Sequence, residues 1–304
     1  MSTEVETRPL AGTFVALVTP FVEDESVDEG ALARLVEYAI EGGVEGIVPC
    51  GTTGEKSTLT TDEHRHVIER IVELVNGRIA VIAGTGSNDT RHAAEMARFA
   101  RQVGADAGLS VVPYYNKPTQ DGLFRHYCAI AERAELPLVV YNIPSRTGTK
   151  MTAETLLRLA EQCPWVQGVK DATKDLDFAA EVIRGRPEGF RVLSGDDSAT
   201  LALVAMGGDG VISVIANEVP GKFSGMVRLA MAGQIEPARE IFFELHPLMM
   251  ANFLETNPIP VKAALTMMGL IEERYRLPLS PMAPANRERL RRVLDDLGLL
   301  SVPH

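Results

Sequence analysis

Eight short Val/Ile-rich runs alternate with longer amphipathic ones for most of this chain, and that alternation constrains the fold more than any other feature. The runs are Thr13–Val18, Gly46–Cys50, Ala80–Thr85, Leu109–Tyr114, Leu138–Ile143, Gln167–Ala172, Arg191–Gly195 and Gly210–Ala216. Each is continuously apolar rather than alternating, as expected of parallel strands covered on both faces. Helical patterns lie between them. Ala31–Ile40 follows Asp28, a candidate cap, and stops at Gly42-Gly43; Thr61–Val75 stops at Asn76-Gly77. Thr90–Val103 stops at Gly104, and Ala153–Glu161 starts after Thr152. Eight βα units in roughly 230 residues match the count and size of an α/β (β/α)8 TIM barrel. A doubly wound sheet is the rival, but it carries a phosphate-binding turn after its first strand, and Thr19-Pro20-Phe21 is not one.

After Gly233 the strands cease. Glu236–Phe253, Val261–Met268 and Asn286–Leu297 read as helices, so residues 1–232 are expected to form the catalytic barrel. Residues 233–304 are expected to form a helical extension against the barrel and toward a neighbouring subunit. With 45% hydrophobic and 23% charged residues, the chain is neither disordered nor fibrous. Thirty Lys+Arg against 41 Asp+Glu leave a formal charge of −11, which disfavours nucleic-acid partners. No apolar run is long enough to span a bilayer, and the polar, acidic start Met1-Ser-Thr-Glu-Val-Glu-Thr-Arg8 is unlike a secretory signal. Three widely spaced cysteines, Cys50, Cys128 and Cys163, read as reduced thiols of a cytoplasmic protein.

In such a barrel, reactive groups sit at the C-terminal ends of strands and in the loops beyond them. The sixth strand places Lys170 inside an apolar run. A buried lysine loses hydration and is pushed toward the neutral amine, which can form a Schiff base with a ketone; the alternative is a lysine paired with the adjacent Asp171. Strand five ends in Tyr141-Asn-Ile-Pro-Ser-Arg146. The phenol can relay protons and the guanidinium can grip a carboxylate, or the two can simply pack and solvate the loop. Strand four ends in Tyr114-Tyr115. The Gly51-Thr52-Thr53-Gly54-Glu55 loop after strand two offers N–H and hydroxyl groups to a small carboxylate, or is a plain turn capping the next helix.

Two tempting motifs fail on spacing. Glu55 interrupts a phosphate loop before Lys56-Ser57, and Gly84-Thr-Gly86-Ser-Asn-Asp89 lacks a third glycine. His64, His66, His92, His126, His246 and His304 offer no metal spacing, and Asp196-Asp197 reads as polar support or a helix cap. Metal-free chemistry without a cofactor is expected.

On these residues the chain resembles the dihydrodipicolinate synthase family, within the N-acetylneuraminate lyase superfamily of class I aldolases. The resemblance runs from Thr13–Phe21 to Leu277-Pro-Leu-Ser-Pro281. It includes Pro113-Tyr-Tyr-Asn116, Gly168-Val-Lys-Asp-Ala-Thr173, Leu193-Ser-Gly-Asp-Asp197, Gly210-Val-Ile-Ser-Val214 and Asn257-Pro-Ile-Pro-Val-Lys262. It implies that Lys170 forms an imine with pyruvate, that Thr52 and Thr53 hold its carboxylate, and that Gly195 and Ile212 contribute backbone groups nearby. It further implies a proton relay of Thr53, Tyr141 and Tyr115, the last from a neighbouring subunit of a tight dimer, and a carboxylate of L-aspartate 4-semialdehyde held by Arg146. A Schiff-base-forming lyase of lysine and diaminopimelate biosynthesis follows, commonly a homotetramer. Asp171 departs from the Glu commoner after the lysine.

Two other functions are weighed against this one. Sialic-acid and sugar-acid lyases share the lysine and tyrosine, whereas Arg146 and the paired threonines favour the short carboxylated aldehyde. A non-catalytic pyruvate-binding barrel would have lost the lysine or a rim phenol. In feedback-inhibited relatives, lysine binds a cleft matching Lys56, Ser57, Thr61, His64, Asn88, His92 and Tyr114. His92 replaces a glutamate there and Lys56 adds a cation, so weak or absent inhibition by lysine is expected.

Overall fold

The period-two alternation hidden inside the apolar runs decides which side chains enter the barrel. The computed structural model describes residues 8–300; most of the acidic start, and His304, lie outside them. In chain order the elements are β1 (Gly12–Ala16), α1 (Glu29–Glu41), β2 (Gly46–Val48), α2 (Thr61–Val75), β3 (Ala80–Gly84), α3 (Thr90–Gln102), β4 (Ala107–Val111), α4 (Gln120–Ala134), β5 (Leu138–Asn142), α5 (Pro144–Thr147), α6 (Ala153–Gln162), β6 (Val166–Asp171), α7 (Leu176–Gly185), β7 (Arg191–Ser194), α8 (Thr200–Ala205), β8 (Gly210–Ser213), α9 (Pro220–Met231), α10 (Ile235–Ala251), α11 (Ile259–Met267) and α12 (Pro284–Asp296). The eight strands are parallel and close β1 against β8. This is the (β/α)8 barrel expected from the alternation.

Two buried layers follow. Phe14, Val48, Ile82, Leu109, Val139, Tyr141, Leu193 and Ile212 fill the barrel interior. Their strand neighbours Val15, Ile47, Val81, Val140, Val192 and Val211 face the helices instead. A strand packed on both sides therefore reads as one continuous apolar run.

Helix ends obey local chemistry. Asp28, Thr60, Asp89, Thr119 and Thr152 each accept from a backbone N–H of the first turn. Strand ends fall short of the expectation. The eighth run stops at Ser213 because Val214 and Ile215 donate their N–H groups to Asp197 Oδ2 rather than to a neighbouring strand. The fourth run begins at Ala107 and ends at Val111, leaving Tyr114 and Tyr115 in the loop.

The three helices after Gly233 form as expected, and Leu245, Leu248, Val261, Leu265, Leu290 and Leu294 join the barrel's outer core. The cysteine expectation needs correction. Cys128 on α4 and Cys163 at the end of α6 form a disulfide, with Cα atoms 5.7 Å apart. The two helices are neighbours in the outer ring, a proximity that a sequence separation of 35 conceals. Cys50 is free and buried. Among the described residues, no helix is long and apolar enough to cross a membrane.

Candidate active site

Lys170 belongs to the inward-facing set of β6, and its partners in register are Tyr141 of β5 and Leu193 of β7. It is only 6% exposed, and its Nζ lies 4.3 Å from the centroid of the Tyr141 ring. The lysine ion pairs of the described residues are those of Lys150, Lys174, Lys222 and Lys262, so Lys170 is free of one. Asp171 is not its partner. That carboxylate turns to the other side of the strand and accepts from the Thr173 N–H at 2.9 Å. Burial pushes the Lys170 ammonium down from 10.5 to about 8; Asp197 and Asp196 work against this and Arg146 adds to it.

The site forms around this amine. Gly195 lies so close that a Cβ there would meet Lys170 Cε at 3.1 Å, and its N–H donates to Asp171 O at 2.6 Å. Ile212 closes the interior layer beside it. The Tyr141 phenol is raised above its ordinary value by burial, with Thr52 and Arg146 partly offsetting this, so it stays a proton donor at neutral pH. Thr53 is 2% exposed, and its Oγ1 accepts from Asn257 Nδ2 at 3.0 Å. Arg146, on the short helix α5 that follows strand β5, is exposed and donates from Nη2 to the carbonyl of Asn257 at 3.1 Å. Asp196 and Asp197 are structural: Asp196 accepts from Ser198 and pairs with Lys174 at 2.7 Å, and Asp197 holds the turn after β8.

Thr52, Tyr141 and Arg146 line one end of a cleft of about 490 Å³, which continues to Lys56, His92 and Tyr114. Its lining carries Arg146 and no carboxylate, which suits it to an anion; Lys170 and Thr53 are not among the lining residues. Tyr115 is not brought to this site within one chain. It is 89% exposed in a left-handed backbone conformation at φ +68.

Sequence reasoning gave no role to Asn257, Glu55 and Lys262. Glu55 ends the loop carrying Thr52 and Thr53, and its Oε1 accepts from the fully buried Lys262 Nζ at 2.5 Å. The available signal was a lysine at the end of the apolar Pro258-Ile-Pro-Val stretch, which needs a buried partner.

The sequence profile of the Dihydrodipicolinate synthetase family matches residues 9–297. The chain belongs to this family. A 4-hydroxy-tetrahydrodipicolinate synthase of Nitratidesulfovibrio vulgaris is 52% identical over 289 residues, spanning 95% of this chain and 99% of the relative. One of Chlorobium luteolum is 48% identical over 296 residues, spanning 97% and 100%. Among solved structures, the family member of Aquifex aeolicus superposes with a TM-score of 0.94 at 46% identity, covering 96% of this chain and 100% of that one. A chloride-inhibited member from Acinetobacter baumannii, complexed with pyruvate, superposes with a TM-score of 0.93 at 47% identity, covering 95% and 99%.

Proposed function

We propose that this chain condenses pyruvate with L-aspartate 4-semialdehyde, the reaction of the 4-hydroxy-tetrahydrodipicolinate synthases it resembles, in lysine and diaminopimelate biosynthesis. The single observation that carries the mechanism is a buried lysine amine, free of any ion pair, set against a buried phenol inside the barrel. The neutral amine of Lys170 adds to the pyruvate ketone, and loss of water gives an imine. Loss of a methyl proton then gives an enamine. The enamine carbon attacks the aldehyde, whose oxygen takes a proton. The substrate's amino group next attacks the imine carbon, closing the ring and expelling Lys170 as the free amine. No metal or cofactor is required by these steps.

The resemblance to the family supports the following roles. Thr52 and Thr53 hold the pyruvate carboxylate, with Gly195 and Ile212 shaping the backbone around it. Thr53 and Tyr141 carry protons, joined by Tyr115 of a second copy in a tight dimer. Arg146 binds the carboxylate of the aldehyde substrate. The residues up to 232 supply the chemistry, and those from 233 onward form an extension that props the site through Asn257 and Lys262. A homotetramer in the cytoplasm completes the reading. The Cys128–Cys163 disulfide is the observation against a reducing compartment.

A coupled assay offering pyruvate with L-aspartate 4-semialdehyde, beside sialic and sugar acids in the cleavage direction, tests this directly. Turnover of the semialdehyde alone is expected. Preferential cleavage of a sugar acid would make the chain a lyase of the sister type.

A further inference from the structure

Thr53 has one described hydrogen bond at its hydroxyl, and it comes from far away in the chain. Asn257, 204 residues later and also buried, donates its side-chain N–H to Thr53 Oγ1 at 3.0 Å. A hydroxyl has a single proton to give and accepts separately through its lone pairs. Accepting from Asn257 leaves the single Thr53 proton free to be given to another group. The amide oxygen of Asn257 has no partner among the described residues. The same residue's main-chain carbonyl accepts from Arg146, and five residues on Lys262 grips Glu55 at the other end of the threonine loop. Glu55 sits at φ +52, a conformation that the buried pair holds in place.

We propose that Asn257 is a positioning residue that sets the direction of the Thr53 hydroxyl, so that Thr53 passes its proton into the site rather than away from it. This rests on the Lys170 imine reading. The rotated amide, with Thr53 donating to Oδ1, would lock the proton outside the site, and a chemical test separates the two.

Asn257→Asp keeps the shape but offers a carboxylate that only accepts, turning the Thr53 proton the wrong way. Asn257→Ala removes the partner altogether. At pH 8 both variants should lose roughly 5- to 100-fold in kcat, the range for one misdirected buried hydrogen bond. The KM for the aldehyde should move little, because Arg146 binds the main-chain carbonyl that both variants keep. Borohydride with pyruvate should still trap the Lys170 adduct in both, which also shows that they fold. As pH falls, kcat of Asn257→Asp relative to the unaltered enzyme should recover, since a protonated carboxylic acid donates to Thr53 again; Asn257→Ala should show no recovery. Three results would overturn the proposal: Asn257→Asp matching the unaltered enzyme at pH 8, equal losses in both variants without recovery at lower pH, or loss of the adduct in both. Failure of the unaltered enzyme to form an adduct would instead overturn the Lys170 reading.

Discussion

Lys170 is a base whose folded-state value is pushed down to about 8 by burial, and the sign of its pH dependence follows. Below that pH it is mostly ammonium and cannot attack; above it the amine is free. The rate of imine formation should rise roughly tenfold per pH unit on the acid side and level off above about 8. Stopped-flow or quenched borohydride trapping across pH 6 to 10 measures it. Arg146 is the second residue with a separable role. It is exposed, so truncating its grip on a carboxylate belongs at the lower end of the range for such contacts, about 2 kcal/mol or roughly 30-fold in kcat/KM for the aldehyde. Pyruvate trapping should be untouched in Arg146→Ala. Lys56 and His92 bear on the expectation of weak or absent inhibition by lysine. Lys56 donates to the Gly86 carbonyl and, like His92, lines the cleft; burial pulls the Lys56 ammonium below its ordinary value, but in its charged form it would repel a ligand ammonium ~4 Å away by about 4 kcal/mol at an effective dielectric near 20. Free lysine, itself a net cation, should therefore bind weakly or not at all by titration calorimetry, and half-inhibition at sub-millimolar lysine would contradict this.

Elements that end on a chemical signal were legible in the sequence; those that end on a tertiary contact were not. The end of α2 is legible because Asn76 takes the left-handed turn beyond Val75; its start is fixed by a Thr60–Glu63 capping box that the structure reveals. The eighth strand is shorter than its apolar run because Asp197, 17 residues away, takes the N–H that would have extended it. Lys170, Tyr141 and the threonine loop stood out because a reactive residue type interrupts or ends an apolar run. Asn257 did not, since an asparagine before a proline signals only a turn. The Glu55–Lys262 tie is likewise a long-range contact. Lys262→Ala should cost about 3–5 kcal/mol in urea unfolding, because it strands a buried carboxylate, whereas Glu55→Gln combined with Lys262→Met should recover much of that loss.

The exposed Tyr115 and the Cys128–Cys163 disulfide can be tested separately on the intact protein. A relay that borrows Tyr115 from a second copy fails in an isolated chain. Diluting to monomer, followed by sedimentation and by turnover at matching concentrations, should show activity disappearing with the dimer; a fully active monomer would remove Tyr115 from the mechanism. Alkylating the denatured protein under non-reducing conditions should label Cys50 alone, because Cys128 and Cys163 are joined. Three labelled cysteines would mean that the pair is reduced where the protein works. A formal charge of −11 disfavours polyanions, whereas a cleft lined by Arg146 and by no carboxylate suits a small anion.

Everything proposed for the site depends on Lys170 being the nucleophile that takes up pyruvate. Treating the protein with pyruvate and borohydride, then measuring intact mass and mapping the modified peptide, tests it most directly. One reduced pyruvate adduct per chain is expected, carried by Lys170 and absent from Lys170→Ala. No adduct, or an adduct formed equally well in Lys170→Ala, would contradict it.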